Sequence, residues 1–481
     1  MKSFNFLEVA NRCLVDGQWV GEPVDPVLNP ATGAALAKVP CFGGEMAEEA
    51  VNAAGLAFGS WSTVTAGERA RLLHDWFAEI IAHKERLARL LTMEQGKPLR
   101  EARAEVEYAA SFVRFYAEEA RRIYGETIPS QRRSERILIA RQAVGVMAAI
   151  TPWNFPAAMV TRKVAPALAA GCTVVLKPAP ETPLTALALA FLAQKVGFPA
   201  GVFNVVTGDA VAIGKVMTEH PKVRAVSFTG STEVGKLLMR QAAGTVKRVG
   251  LELGGNAPFI VFDDADIDAA VDGLVASKFR NMGQTCVCVN RIYVQAGIHD
   301  AFVDRLKAKI EALSVGNGMD EEVTQGPLIN KSAVLKIEQQ IEDAVRRGAK
   351  IIVGGRKHRL GGTYFEPTLI TDVSSDMLVT REETFGPLAP VYRFSHEADV
   401  IKQSNDSPAG LASYFYTRDL SRAFRMAEAL QYGMVGINSV NLSVENAPFG
   451  GVKESGLGRE GSRHGIEEYT DLKFILIGGL Q

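Results

Sequence analysis

Apolar positions recur at three- and four-residue spacing through RARLLHDWFAEIIAHKERLARLLTMEQG and again through EVEYAASFVRFYAEEARRIYG. That period predicts long surface helices over residues 65–124, with their charged positions read as solvated faces. From residue 143 the texture changes. The β-rich runs AVGVMAAI, CTVVL, VFNVV and VRAVSF alternate with the helical stretches PAAMVTRKVAPALAAG, TPLTALALAFLAQKVG and DAVAIGKVMTE. Strands and helices at that spacing predict βαβ units and a parallel sheet covered on both faces. A second α/β region runs from about 251 to 430, with the strand VNRIYVQ, helices around 299–312 and 331–348, and the run KIIVGG. The apolar strand DLKFILIGG lies near the C-terminus. Ligands of such sheets bind outside the carboxyl ends of the strands. Attention therefore falls on TPWNFP (151–156), KPAPETP (177–183), TGD (207–209) and TGSTEVG (229–235).

Composition narrows the class. A chain of 481 residues, 47% hydrophobic and 22% charged, is too long for one small module and too apolar for disorder. Its 53 Lys and Arg against 54 Asp and Glu give a net charge of −1, which offers no global field for nucleic acid or an anionic membrane. The expected partners are small molecules and further copies of the chain. The five cysteines, Cys13, Cys41, Cys172, Cys286 and Cys288, are too sparse for a disulfide scaffold and suit a reducing, cytoplasmic setting. MKSFNFLEVANRC meets Glu8 and Arg12 before an apolar stretch of signal-peptide length develops. The longest weakly polar run, Ala165 to Leu176, contains Pro166 and is too short for a membrane span.

Three glycine patterns compete for a phosphate site. GLGREG (456–461) matches G-x-G-x-x-G, but no clear strand precedes it and too little chain follows for a βαβ unit, so an ordered turn is expected. GSTEVGK (230–236) lacks the Ser or Thr of a Walker A loop, because Leu237 comes next and cannot hold Mg²⁺. An NTPase is therefore disfavoured. The same segment follows a strand and opens a helix, an arrangement suited to a pyrophosphate. Gly230 is expected to allow a tight turn, and Ser231 to cap the helix and reach a phosphate oxygen.

FRNMGQTCVCVNR (279–291) offers Cys286 as a nucleophile, ELGGNAP (252–258) offers Glu252 as a carboxylate base, and TPWNFP holds Asn154 between two prolines as an oxyanion donor. These are the parts of acyl-enzyme chemistry. No metal-ligand spacing accompanies them. At these residues the sequence resembles the aldehyde dehydrogenase family, and it does so in family order through NPATG, EQGKP (94–98), TPWNFP, KPAPETP, FTGSTEVG, LELGGNAP, GQTC, EETFGP and PFGGVKESGLGREG. The intact set Cys286, Glu252 and Asn154 argues against a silent scaffold of the same fold.

The resemblance implies two doubly wound parallel α/β domains plus a small β oligomerisation arm. Residues 1–124 and 143–250 would bind NAD(P), 251–430 would form the catalytic domain, and 431–464 would return to the cofactor domain. The arm would comprise 125–142 and 465–481 and make a homodimer or homotetramer. The resemblance also implies Cys286 as nucleophile, Glu252 as general base, and Asn154 with the Cys286 N–H as oxyanion hole. Trp153, Asn154, Lys177, Pro178, Ala179, Pro180, Gly230, Ser231 and Leu253 would line the cofactor site, with Glu383 and Phe385 at the nicotinamide end.

Pro180 stands where strict NAD users often carry Glu, which places NADP ahead of NAD. Within the family the chain most resembles succinate-semialdehyde dehydrogenases, and Arg162, Arg280 and Ser443 match their carboxylate-binding positions. The expected substrate is succinate semialdehyde, with glutarate semialdehyde next. Cys288 is a candidate for a reversible disulfide with Cys286, although neighbours at that spacing meet disulfide geometry only with backbone movement.

Overall fold

The computed structural model describes residues 11–480; the stretch read for a signal sequence lies largely outside them, in residues 1–10. Five strands form the parallel centre of an eight-stranded sheet, side by side in the order Phe203–Val205, Thr173–Lys177, Val146–Ile150, Val223–Thr229 and Arg248–Glu252. Taken by chain order this is 3-2-1-4-5. The winding reverses between Val146–Ile150 and Val223–Thr229, and a crevice opens there beyond the strand ends. TPWNFP and TGSTEVG follow those two strands.

The second sheet has seven strands. Six run parallel in the order Thr368–Thr371, Leu388–Phe394, Val289–Gln295, Ala257–Val261, Ala412–Tyr416 and Met434–Ile437, with Lys350–Val353 antiparallel at one edge. A third, antiparallel sheet joins Thr470–Ile477 to Arg136–Ala143 and then to Glu126–Ile128. The strand Thr470–Ile477 leaves Leu472, Phe474 and Leu476 exposed. Among the described residues no helix is long and apolar enough to cross a membrane, and no cluster of side chains has the make-up of a metal site.

Several expected boundaries shift. The border set at 250/251 falls inside the strand Arg248–Glu252, whose pairing to Val223–Thr229 continues through Glu252. Glu252 therefore ends the first sheet, and Leu253 to Asn256 bridge to the second. The return segment set at 431–464 begins with Met434–Ile437, a strand of the second sheet, while Gly456–Leu457 pairs with Leu251 and Glu252 of the first. GLGREG, expected as a turn, opens as that short strand and ends in a bridge from Glu460 to Phe449.

The 65–124 region forms three helices, Ala66–Ala82, Lys84–Gln95 and Leu99–Glu119. The first opens with a capping box in which Thr65 and Glu68 satisfy each other's backbone N–H. Apolar stripes including Leu73, Trp76, Val106 and Phe112 face the largest core. The reading of all the charges as solvated faces fails at four places, because Arg69, Glu94, Lys97 and Glu105 are buried. Each has found a partner. Arg69 donates to the carbonyls of Ala169 and Val64, and Glu94 accepts from the backbone N–H groups of Leu184 and Thr185. Helical period alone does not separate a charge facing water from one facing a polar partner across a helix interface.

Candidate active site

The crevice holds a cavity of about 350 Å³ whose walls include Trp153, Asn154, Gly230, Ser231, Glu252, Leu253, Cys286, Glu383 and Phe385. The two sheets contribute differently. Trp153 and Gly230 lie beyond carboxyl ends of the first sheet, whereas Cys286 and Phe385 precede Val289–Gln295 and Leu388–Phe394 and so enter from amino ends of the second. The carboxyl-end rule located half of the site. A larger cavity of about 930 Å³ around Arg291 and Asn405 holds none of the predicted catalytic or cofactor residues.

Cys286 is half-buried. Loss of water around it pushes the thiol up to about 12, with the positive charge of Arg162 opposing that rise. Asn154 is buried, and its side-chain amide donates to the carbonyl of Gln284 at 3.1 Å, tying it to the loop that carries Cys286. Gly255 allows that loop to come close, since a Cβ there would sit 2.6 Å from the Cys286 carbonyl oxygen.

Glu252 is buried, and neither carboxylate oxygen has a hydrogen-bond partner among the described residues. Burial and then the nearby charge of Glu460 raise its pKa well above the carboxylate range. Burial would also raise Glu460, but Lys163 and Arg162 outweigh it and hold that carboxyl low. Lys163 hydrogen-bonds Glu460 and donates to Ser227 Oγ at 3.1 Å, while Arg162 forms an ion pair with Glu460 at 2.8 Å.

On the cofactor side, Ser231 accepts the Val234 N–H and caps the helix Thr232–Ala242, as expected. The reason for Gly230 differs. Its φ is not positive; a Cβ would instead strike the Phe228 ring at 2.3 Å, so close packing requires glycine. Phe385 has φ 52° and packs edge-on to Trp153 with ring centroids 5.5 Å apart. Burial raises Glu383 to about 7, and its carboxylate accepts the Gly255 N–H at 3.0 Å. Lys177 ends the strand Thr173–Lys177, Pro178 to Pro180 follow it, and none of the four is in the cavity wall. Lys177 Nζ donates to the Pro178 carbonyl at 3.1 Å. Sequence reading missed Lys336, in a segment read only as a helix, and Asn330, which caps that helix; both line the cavity.

Arg280 and Ser443 meet in a separate cavity of about 230 Å³, with Tyr108 and Phe155 in its wall. Arg162 is not in that wall. It is 2% exposed, paired with Glu460 and stacked 4.1 Å from the Phe449 ring centroid, so the expected trio of carboxylate contacts reduces to a pair. Tyr108 was missed because its helix offered only an apolar stripe. Its hydroxyl is buried without a hydrogen-bond partner among the described residues. Cys288 turns from the cavity to Lys278, with 3.5 Å between Nζ and Sγ, and both Cys286 and Cys288 are free thiols. A disulfide between them requires Cys288 to leave that contact.

The aldehyde dehydrogenase family profile matches residues 19–475. The chain is similar to the NADP(+) succinate-semialdehyde dehydrogenase of Escherichia coli (strain K12), 56% identical over 471 residues covering 97% of this chain and 98% of that protein. It is similar to the glutarate-semialdehyde dehydrogenase of Pseudomonas aeruginosa, 58% identical over 98% of each. It also matches the crystal structure of an E. coli NADP dependent enzyme with TM-score 0.96 and 56% identity, covering 97% of this chain and 98% of that one.

A thiol raised this far stays protonated at neutral pH. Inactivation of the cofactor-free protein by iodoacetamide is therefore expected to accelerate about tenfold per pH unit between roughly pH 7 and 9. A plateau in that range would reveal a much more acidic Cys286.

Proposed function

The chain belongs to the aldehyde dehydrogenase family, and from that premise we propose that it oxidises succinate semialdehyde to succinate with NADP, by a cysteine-linked acyl intermediate. What carries the reading is the meeting of Cys286, Glu252 and Asn154 on one cavity that also receives Trp153, Ser231, Glu383 and Phe385.

The residues present fit a dinucleotide. A capped helix N-terminus faces the crevice, Gly230 has a neighbour too close for a side chain, and Glu383 lines the same cavity. Lys177, Pro178, Ala179 and Pro180 would hold its adenosine end. When bound, the nicotinamide supplies the hydride acceptor. Pro180, in place of an acid, and the ammonium of Lys177 favour a 2′-phosphate, and the E. coli relative carries NADP(+) in its name.

Glu252 takes the thiol proton of Cys286 and passes it to solvent, the Cys286 sulfur attacks the aldehyde carbon, and the carbonyl electron pair moves onto oxygen. Asn154 Nδ2 and the Cys286 N–H hold the resulting oxyanion. Loss of hydride leaves a thioester. Glu252 then takes a proton from water, the hydroxide oxygen bonds to the acyl carbon, and the C–S bond breaks to release acid and thiolate. The raised pKa of Glu252 makes it a stronger base than an ordinary carboxylate, suited to water and to a thiol that is itself raised.

Arg280 and Ser443 would hold the distal carboxylate. Glutarate semialdehyde is the second reading, favoured by the Pseudomonas aeruginosa relative. The exposed apolar residues of Thr470–Ile477 support a homo-oligomer joined through the arm. The five free thiols agree with a cytoplasmic enzyme.

Arg280→Ala should raise KM for succinate semialdehyde about 100-fold and for an uncharged aldehyde of equal length less than about threefold; equal effects would reject the clamp. Initial rates at equal NADP and NAD should favour NADP, and a large preference for NAD would overturn that choice. Phe474→Asp should shift the sedimentation coefficient toward that of the monomer, whereas an unchanged assembly would remove the arm from the interface.

A further inference from the structure

The segment EQGKP, Glu94 to Pro98, lines neither active cavity, yet it ties together the loops that do. Gln95 Nε2 donates to Asn281 Oδ1 at 3.0 Å, and Asn281 Nδ2 donates to the carbonyl of Asn154 at 3.0 Å. Lys97, 1% exposed, donates from Nζ to the same carbonyl at 2.8 Å and to Glu105 at 2.5 Å. The other oxygen of Glu105 accepts the N–H groups of Ala157 and Ala158, at the start of the helix that follows Asn154. Lys97 Nζ also lies 3.8 Å from the Phe155 ring centroid, and the Arg280 guanidinium lies 4.9 Å from the same centroid.

We propose that Lys97 is a positioning residue that fixes the Asn154 peptide for oxyanion binding and braces Arg280 through Phe155. The proposal rests on the reading of Asn154 as the oxyanion donor. Two donors on one carbonyl occupy both of its lone-pair directions, so the Asn154 peptide plane cannot turn. Its side chain is tied at the other end to Gln284, which leaves the amide little freedom. An oxyanion donor is effective only if its geometry is set before charge develops. A flexible apolar side chain would fill the same volume without a buried ion pair. The ammonium is directed instead at one backbone oxygen, that of the residue whose amide must not move. Lys97 and Arg280 repel each other as like charges, so the lysine braces Arg280 only by holding the Phe155 ring on which the guanidinium rests.

A double-mutant cycle tests this. In Lys97→Met, kcat for succinate semialdehyde should fall about 100-fold while cofactor binding, read by quenching of Trp fluorescence, is kept. The primary isotope effect with C1-deuterated aldehyde should rise as hydride departure becomes limiting. In an Asn154→Ala background the same substitution should cost less than about threefold. A full cost in that background, or an unchanged isotope effect, would overturn the proposal. Asn154→Ala alone tests the underlying reading: normal turnover in that single variant removes the oxyanion role whatever Lys97 does. The pair Lys97→Met/Glu105→Gln leaves no unpaired buried charge and is assayed in both backgrounds. Loss of cofactor binding together with turnover in that pair would assign Lys97 to the fold and reject positioning.

Discussion

A carboxylate buried without a hydrogen bond sets the terms for this site. Taking an ion out of water costs several kcal/mol unless partners replace the lost hydration. Glu252 has no hydrogen-bonding partner among the described residues, whereas Glu460 has Lys163 and Arg162. The two carboxyls are therefore driven apart: Glu460 holds its charge and Glu252 holds its proton more tightly than a solvated acid would. Protonating Glu252 removes one negative charge from beside Arg162 and Lys163 and leaves their positive charge less compensated. That surplus is felt at Cys286, where Arg162 is the chief influence opposing the rise caused by burial. Proton position on Glu252 and thiol acidity are thus linked through one buried cluster.

The same cluster explains why Arg162 matched a carboxylate-binding position yet sits in no carboxylate cavity. A pattern of residue types cannot distinguish an arginine waiting for a ligand from one already paired. Glu460 lies almost 300 residues along the chain, in the glycine-rich turn that reads as a failed dinucleotide fingerprint. The glycines serve a different end: Gly456 and Gly458 have φ of 144° and 82°, and the turn delivers Glu460 under the first sheet. Close approach and chain reversal leave a glycine signal, but its purpose becomes visible only when the partner strand is in place.

Much of the first sheet was legible because its chemistry follows its strands, and strand ends are marked by abrupt changes from apolar runs to Gly, Pro, Thr and Asn. Asn154, Gly230 and Ser231 were reachable in this way. The second sheet was harder. Its candidate residues precede their strands, so Cys286 stood out through its local Gly-Gln-Thr-Cys context and Phe385 only through the family resemblance. Lys97 showed only as part of EQGKP, and Tyr108 and Lys336 left no local trace, because a helix repeats its polar positions whether they face water or a cavity. Pairing across tens to hundreds of residues decides which, and one-dimensional periodicity contains no term for it.

Substrate choice follows from what each end of the site can sense. A cation facing a desolvated carboxylate separates charged from uncharged aldehydes strongly, since an uncharged ligand forgoes the charge-assisted contact to Arg280. Chain length is a weaker test: one methylene is worth about 0.8 kcal/mol of transfer energy, and hydrophobic pockets discriminate such homologues by roughly 10- to 200-fold at most. Arg280 also leans on the Phe155 ring, which gives its guanidinium an aromatic rest but no rigid stop. On the proposed reading, such a clamp would accept succinate semialdehyde and tolerate one further methylene by a small movement of the arginine. Relatives named for four- and five-carbon semialdehydes, each more than half identical to this chain, are the outcome such a site would produce. Sharp length selection would need a second wall opposite Arg280. Tyr108 is a polar group on that cavity with no partner among the described residues, so its hydroxyl is free to donate to a ligand held beside Arg280.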